Sequence, residues 1–128
     1  MNERELEDRL INFAVVIINL VENMIESKSA NHLSGQLLRS GTSPALNYGE
    51  AQSGESRKDF VHKSKIVLKE LRESHLCLQI IFRTKLCKSE HKISEALKEC
   101  NELISIFVKS VETAKKNDDE RRLKHHES

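Results

Sequence analysis

Apolar residues recur along this chain of 128 residues at alternating steps of three and four positions. Residues at such steps share one face of an α-helix, so the pattern indicates amphipathic helices rather than strands. Small and polar residues divide the pattern into four predicted helices, at about 4–27, 30–53, 56–86 and 89–116. Because short connections between long helices favour antiparallel neighbours, we predict an all-α, antiparallel up-down-up-down four-helix bundle over residues 1–116. Residues 117–128 contain one apolar side chain and are predicted to form a charged, flexible tail.

The first predicted helix carries more apolar residues than one buried face requires. Its inner stripe consists of Leu6, Leu10, Phe13, Ile17, Leu20 and Met24. Beside it runs a second stripe, which consists of Ile11, Ala14, Ile18, Val21 and Ile25. A helix that is covered on one side needs only the first stripe and a flank. Two explanations remain open: the helix is buried deeply within one bundle, or the second stripe contacts another subunit.

The second predicted helix contains Pro44, the only proline of the chain. A proline inside a helix removes one backbone hydrogen bond and costs about 3 kcal/mol or more. Either the helix bends there and continues, or Ser43 caps a new segment with Pro44 at its first position. We favour the bent, continuous helix, in which the hydroxyls of Thr42 and Ser43 donate to carbonyl groups that the bend frees.

Short polar side chains mark the predicted helix starts. At the N-cap position, the side-chain oxygen of a serine or asparagine accepts a hydrogen bond from an otherwise unpaired N–H group of the first turn. Ser29 or Asn31 fits this role in the second helix. Ser56 fits it in the third helix and Ser89 in the fourth.

The charge of the whole chain is nearly balanced, with 21 basic and 20 acidic side chains and a formal net charge of +1. Proteins that bind nucleic acid through phosphate contacts usually show a clear basic excess, which this chain lacks. Its third predicted helix is nevertheless locally basic. Its basic stripe either faces solvent or pairs with the acidic first helix, or it contacts RNA or another polyanion. The candidate polyanion-binding residues are Arg57, Lys58, Lys63, Lys65 and Lys69.

The sequence contains no motif that indicates a reaction. Glu-x-x-His, His-Glu-x-x-His, Cys-x-x-Cys and glycine-rich phosphate loops are all absent. We therefore predict no catalytic residues, metal, cofactor or small-molecule substrate, and a protein that is not an enzyme. Cys77, Cys87 and Cys100 are predicted to be reduced thiols, and the chain opens with acidic residues unlike a signal peptide, which favours a cytoplasmic location. No apolar run reaches about 18 residues, so we expect no membrane contact.

Polar side chains cluster around Pro44, and the sequence leaves two roles open for them. They either form hydrogen bonds to neighbouring helices and to loosened backbone, or they line a pocket around Asn47, Tyr48 and Glu50. The candidate interaction residues are Arg39, Ser40, Thr42, Ser43, Asn47 and Glu50.

Residues 33–74 resemble the bacterial 23S rRNA-intervening-sequence protein family. The motifs that carry the resemblance are Arg39 to Ser43, Asn47-Tyr48-Gly49-Glu50-Ala51, the turn from Ser53 to Ser56, Phe60, and Lys69-Glu70-Leu71-Arg72-Glu73. The resemblance implies a left-handed bundle that assembles into a ring, typically a homopentamer. Members of the family resemble interaction proteins rather than enzymes. A distant branch, the accessory variability determinants of diversity-generating retroelements, binds nucleic acid and is strongly basic.

The sequence and the resemblance together predict a non-enzymatic, oligomeric helical bundle that scaffolds protein or protein–RNA contacts. Its principal partner is then another copy of itself. The alternative is an accessory protein that binds RNA through the basic face of the third helix.

Overall fold

The computed structural model describes residues 1–53 and 56–127. Its helices are α1 (Glu3–Val21), α2 (Lys28–Gln52), α3 (Arg57–Thr84) and α4 (Glu90–Glu127). Each helix contacts the next one along the chain, and α1 also contacts α4. Within the described ranges α1 does not contact α3, and α2 does not contact α4, so these pairs lie diagonally opposite each other. This arrangement confirms the predicted all-α, up-and-down four-helix bundle. No helix of the described residues has the length and apolarity to cross a membrane.

The core is built from one apolar stripe on each helix. The predicted inner stripe of the first helix is confirmed, because its five residues from Leu6 to Leu20 are buried on α1 and Met24 is buried just beyond the helix end. On α3 one position is corrected. The apolar repeat of the sequence assigns Phe82 to the inner stripe, with Leu71 and Leu78, and Ile81 to its flank. In the structure Ile81 is fully buried, whereas Phe82 is 47% exposed. The buried positions of α3 continue the steps of four and three through Ser74 and Leu78, and the next step from Leu78 reaches Ile81.

The predicted end of the first helix, near residue 27, is wrong. α1 ends at Val21, and the chain then pairs with the connection between α3 and α4. The N–H of Ile25 donates to the carbonyl of Leu86 at 2.8 Å, and the N–H of Lys88 donates to the carbonyl of Asn23 at 2.8 Å. These two bonds hold the two connections together at one end of the bundle, and they replace the helical hydrogen bonds that the apolar repeat predicted.

α2 begins earlier than predicted, because Ser27 caps it. The Ser27 hydroxyl accepts a hydrogen bond from the N–H of Ala30 at 3.1 Å. The predicted caps Ser29 and Asn31 are therefore wrong, since both lie inside the first turn. A serine at the cap position satisfies an N–H group that has no partner within the helix.

α2 continues through Pro44, so the alternative of a second capped segment is wrong. The Thr42 hydroxyl donates to the carbonyls of Leu38, at 2.8 Å, and Arg39, at 3.4 Å. Our expectation that it reaches a carbonyl freed by the proline is not met, because Pro44 frees the carbonyl of Ser40, one turn before it. The hydroxyl back-bonds to its own helix instead.

The predicted caps of α3 and α4 are confirmed. The hydroxyls of Ser56 and Ser89 each accept from the N–H three residues ahead, at 3.1 and 3.2 Å. The predicted end of the fourth helix near Lys116 is wrong, because α4 continues for about three more turns. Its added turns contain neither glycine nor proline, and an ion pair of 2.9 Å between Asp118 and Arg57 ties them to the start of α3.

Candidate functional site

The polar residues around Pro44 mainly join α2 to α3. The Arg39 guanidinium donates to the carboxylate of Glu70 at 2.9 Å and also to that of Glu73. These two hydrogen bonds raise the pKa of Arg39 above its usual value. One turn separates the two glutamates on α3, so a single arginine spans both of them and fixes the side of α3 that faces α2.

The residues that follow Arg39 and Glu73 in the sequence, Ser40 and Ser74, form a buried hydroxyl pair. Ser74 and Ser40 are both fully buried, and the Ser74 hydroxyl donates to the Ser40 oxygen at 2.9 Å. The Ser40 hydroxyl lies 3.5 Å from the carbonyl of Leu37. A buried polar group is costly unless it is paired, and this pair satisfies both side chains between α2 and α3.

Asn47, Tyr48 and Glu50 do not come together around one cavity. The Asn47 amide donates to the carbonyl and the hydroxyl of Ser43, at 3.1 and 2.8 Å, within α2 itself. Tyr48 is buried, and its ring meets that of Phe107 edge to face, with centroids 5.5 Å apart. The Glu50 carboxylate accepts from the Lys63 ammonium group at 2.6 Å. Each of the three side chains thus has a different partner inside the bundle.

The structure divides the candidate polyanion-binding residues of α3 into two groups. Arg57 and Lys63 are half-buried and form ion pairs with carboxylates of other helices. Lys58, Lys65 and Lys69 are exposed, and within the described part of the chain none of them has a hydrogen-bond or ion-pair partner. Of these five candidates, the three exposed lysines are therefore the ones whose positive charge is available to a binding partner.

Apolar side chains remain uncovered on the outer side of α1. Ile11, Val15 and Ile18 are 47%, 49% and 43% exposed. The predicted second stripe contains Ile11 and Ile18 but not Val15, which lies between them on the same face. Ala14 and Val21, the other helical members of that predicted stripe, are half-buried. A single bundle therefore does not enclose the second stripe of α1.

Sequence reasoning also missed an exposed apolar pair on α3. Leu76 and Ile80 are 61% and 48% exposed, and they lie one turn apart on its outer side. The spacing of Leu76 and Ile80 relative to the basic residues of α3 could have revealed them in the sequence. Steps of four and three lead from Lys65 through Lys69 and Arg72 to Leu76, so the basic stripe continues into an apolar one.

The three cysteines are free and buried, and none is placed as a nucleophile. The Cys100 thiol donates to the carbonyl of Leu71 at 3.2 Å. Burial, with a contribution from the Glu99 charge, raises the pKa of Cys100 to about 12, and a thiol held in its neutral form is unreactive. The described residues contain no group of His, Cys, Asp and Glu side chains that is arranged to hold a metal ion.

The chain forms an all-α, up-and-down four-helix bundle. Polar side chains join α2 to α3, and apolar side chains on the outer sides of α1 and α3 are not covered by the bundle. The chain belongs to the 23S rRNA-intervening sequence protein family, whose model matches residues 4–109. It is also similar to the crystal structure of a protein of unknown function from the S23 ribosomal protein family of Bacteroides thetaiotaomicron. That similarity has a TM-score of 0.78 and 29% identity, and it covers 88% of this chain and 99% of that one. No curated protein matches the chain.

Proposed function

We propose that this protein is a non-enzymatic scaffold that acts as an assembly of identical copies, in the cytoplasm. The observation that carries the proposal is the exposed apolar surface of Ile11, Val15 and Ile18 on α1. Exposed apolar residues that form one contiguous surface mark interaction sites, whereas scattered ones need no explanation. A ring of five copies is the assembly that the family resemblance implies, and it would cover this surface on every copy.

The contacts of the polar motif support a structural rather than a catalytic role. Arg39 and Glu50 form ion pairs with α3, Ser40 pairs with Ser74, and Asn47 bonds within its own helix. Side chains committed to such contacts hold helices in register. A catalytic constellation needs groups that converge on a space where a substrate can bind.

Light scattering coupled to size-exclusion chromatography tests the assembly. We expect the wild-type mass to be close to five times the 14.7 kDa of one chain. Ile18→Glu places a charge on the uncovered surface and should reduce the mass to that of one chain. Leu46→Glu is the matched control, because Leu46 is 69% exposed on α2 and therefore lies on a different helix from the uncovered residues of α1. A wild-type protein with the mass of one chain at every concentration contradicts the proposal.

A second candidate function is polyanion binding at the N-terminal half of α3. Lys58 and Lys65 line a groove between α3 and α4, and Lys115 and Arg122 line it from the other side. Two carboxylates from α4 also lie there, so the positive charge is local and not continuous. Cations that neutralise several phosphates release counterions, and the resulting affinity falls steeply with salt.

Binding of a single-stranded RNA, measured over a range of salt concentrations, tests this second candidate. The double variant Lys58→Glu/Lys65→Glu should lose binding at low salt. Its matched control is Lys98→Glu/Lys109→Glu, which makes the same charge change at exposed positions of α4. If both double variants lose affinity equally, the attraction is a net-charge effect and the groove is not a site. Tight binding that survives in Lys58→Glu/Lys65→Glu also excludes the groove.

A further inference from the structure

The bundle has two uncovered stripes of similar spacing, with steps of 4, 3, 4, 3 and 4 positions on α1 and of 4, 3, 4, 4 and 3 positions on α3. The outer stripe of α1 consists of Arg4, Asp8, Ile11, Val15, Ile18 and Glu22. The outer stripe of α3 consists of Lys65, Lys69, Arg72, Leu76, Ile80 and Arg83. All twelve residues are exposed, and each stripe has an apolar centre between charged residues. The charges of the two stripes differ, since the α1 stripe is mostly acidic and the α3 stripe is entirely basic.

We infer that copies of the chain join head to tail, with the outer stripe of α1 in one copy packed on the outer stripe of α3 in the next. This inference rests on the proposed self-association and names the surface that covers α1. Because α1 and α3 are diagonal in the bundle, their outer stripes lie on different sides of each copy. One copy can therefore use both stripes at the same time, with two different neighbours.

The two stripes are also in register along the bundle. α1 and α3 run in the same direction, and the hydrogen bond from Ile25 to Leu86 fixes the heights of their C-terminal ends. Helices rise about 1.5 Å per residue, and only a few non-helical residues separate each helix end from this bond. Equal numbers of steps back from the bond therefore reach heights that agree to within about one helical turn. Val15 then lies within a turn of the height of Leu76, and Ile18 within a turn of the height of Ile80. Copies related by rotation about an axis parallel to the bundle would bring these apolar residues together without a shift along it.

The same register places opposite charges at both ends of the apolar centre. By the same count Asp8 lies within about one turn of the height of Lys69, and Glu22 lies within about one turn of the height of Arg83. The like-charged pair Arg4 and Lys65 lies at the outer edge, where water screens it. Complementary charges around an apolar centre select the partner and its orientation.

Pairing of each stripe with itself is disfavoured by the same charges. In an antiparallel contact of two α1 helices centred on Val15, Asp8 of one copy faces Glu22 of the other. In the equivalent contact of two α3 helices centred on Leu76, Lys69 faces Arg83. Both self-pairings oppose like charges, whereas the α1–α3 contact opposes unlike ones. Contact between two different surfaces of identical chains closes into a ring when the rotation between neighbours permits it.

Mixing two variants tests the inference. Val15→Glu/Ile18→Glu removes the α1 stripe and leaves α3 intact, whereas Leu76→Glu/Ile80→Glu does the reverse. Each variant alone should have the mass of one chain by light scattering, with an unchanged circular dichroism spectrum because all four side chains are exposed. An equimolar mixture should form a complex of twice the 14.7 kDa chain mass, with one chain of each kind. Assembly stops at two chains because the two stripes that stay uncovered in this pair, the α1 stripe of one variant and the α3 stripe of the other, both carry the added glutamates.

A charge exchange provides the second, independent measurement. Asp8→Lys/Glu22→Lys should lose assembly, and a chain that also carries Lys69→Glu/Arg83→Glu should regain it, because the unlike pairs are restored in reverse. If the wild type assembles and Leu76→Glu/Ile80→Glu assembles equally well, the α1–α3 contact is refuted while the proposed scaffold function stands. If the wild type itself is a single chain, the proposed function fails first.

Discussion

Gly41 allows α2 to pack closely against α1, and replacing it by alanine should force the two helices apart. A Cβ atom at Gly41 would lie 2.8 Å from Cγ1 and from Cγ2 of Ile17 and 3.1 Å from its Cβ. These atoms belong to the branched root of a fully buried side chain, which has one strongly preferred rotamer in a helix. Ile17 therefore cannot swing aside, and the backbones must separate.

The magnitude follows from two opposing terms. Overpacking of a well-packed core costs about 1–3 kcal/mol. Replacing glycine by alanine inside a helix gains about 1 kcal/mol. Gly41→Ala should therefore lower the free energy of unfolding by about 0–2 kcal/mol. Gly35→Ala, in the same helix, gains the same propensity without the clash, because nothing lies within 4 Å of its added Cβ. The difference between the two variants isolates the packing term at about 1–3 kcal/mol.

Urea unfolding of both variants, followed by circular dichroism at the same protomer concentration, measures this difference. A fixed concentration matters because association of folded copies adds to the apparent stability. We expect Gly35→Ala to be more stable than the wild type and Gly41→Ala to be less stable than Gly35→Ala. Equal stabilisation by the two substitutions would show that α1 and α2 are not in close contact at Gly41.

The remaining predictions concern buried polar groups. The pKa of Cys100 is raised from 9.0 to about 12, so the neutral thiol contributes stability below pH 9 that is lost between about pH 9 and pH 12. This loss, about 4 kcal/mol at most, should be absent from alkaline unfolding of Cys100→Ala. Ser40→Ala removes the acceptor of Ser74 and should cost about 1–3 kcal/mol in urea unfolding. Ser64→Ala should be neutral or stabilising, because the buried Ser64 hydroxyl has no partner among the described residues. A cost for Ser64→Ala equal to that for Ser40→Ala would contradict this reasoning.

Local patterns predicted the helices well because helix formation follows from nearby residues. The inner stripe of α1 and the caps Ser56 and Ser89 could be read from spacing alone, since each depends on residues within one or two turns. Phe82 was assigned to the core instead of Ile81 because a step of four from Leu78 leads to Phe82 and a step of three leads to Ile81. Both residues are large and apolar. Only the packing of α3 against its neighbours distinguishes those two positions.

Features that depend on distant residues were not accessible from the sequence. α1 ends early because the backbone of Ile25 pairs with that of Leu86, and no local signal marks that contact. The partners of Arg39 on α3 and the division of the basic residues into paired and free groups depend likewise on how helices are placed. The outer stripe of α3 was overlooked because its basic half suggested a solvated face.

Native mass spectrometry of the wild-type protein, with and without added RNA, tests most directly whether copies of the chain cover each other's outer stripes. This measurement counts chains in each complex, so it reports the assembly and any bound nucleic acid together. We predict a closed assembly that persists when RNA is absent, and the family resemblance implies that it contains five copies. A spectrum that contains only single chains of 14.7 kDa would contradict it.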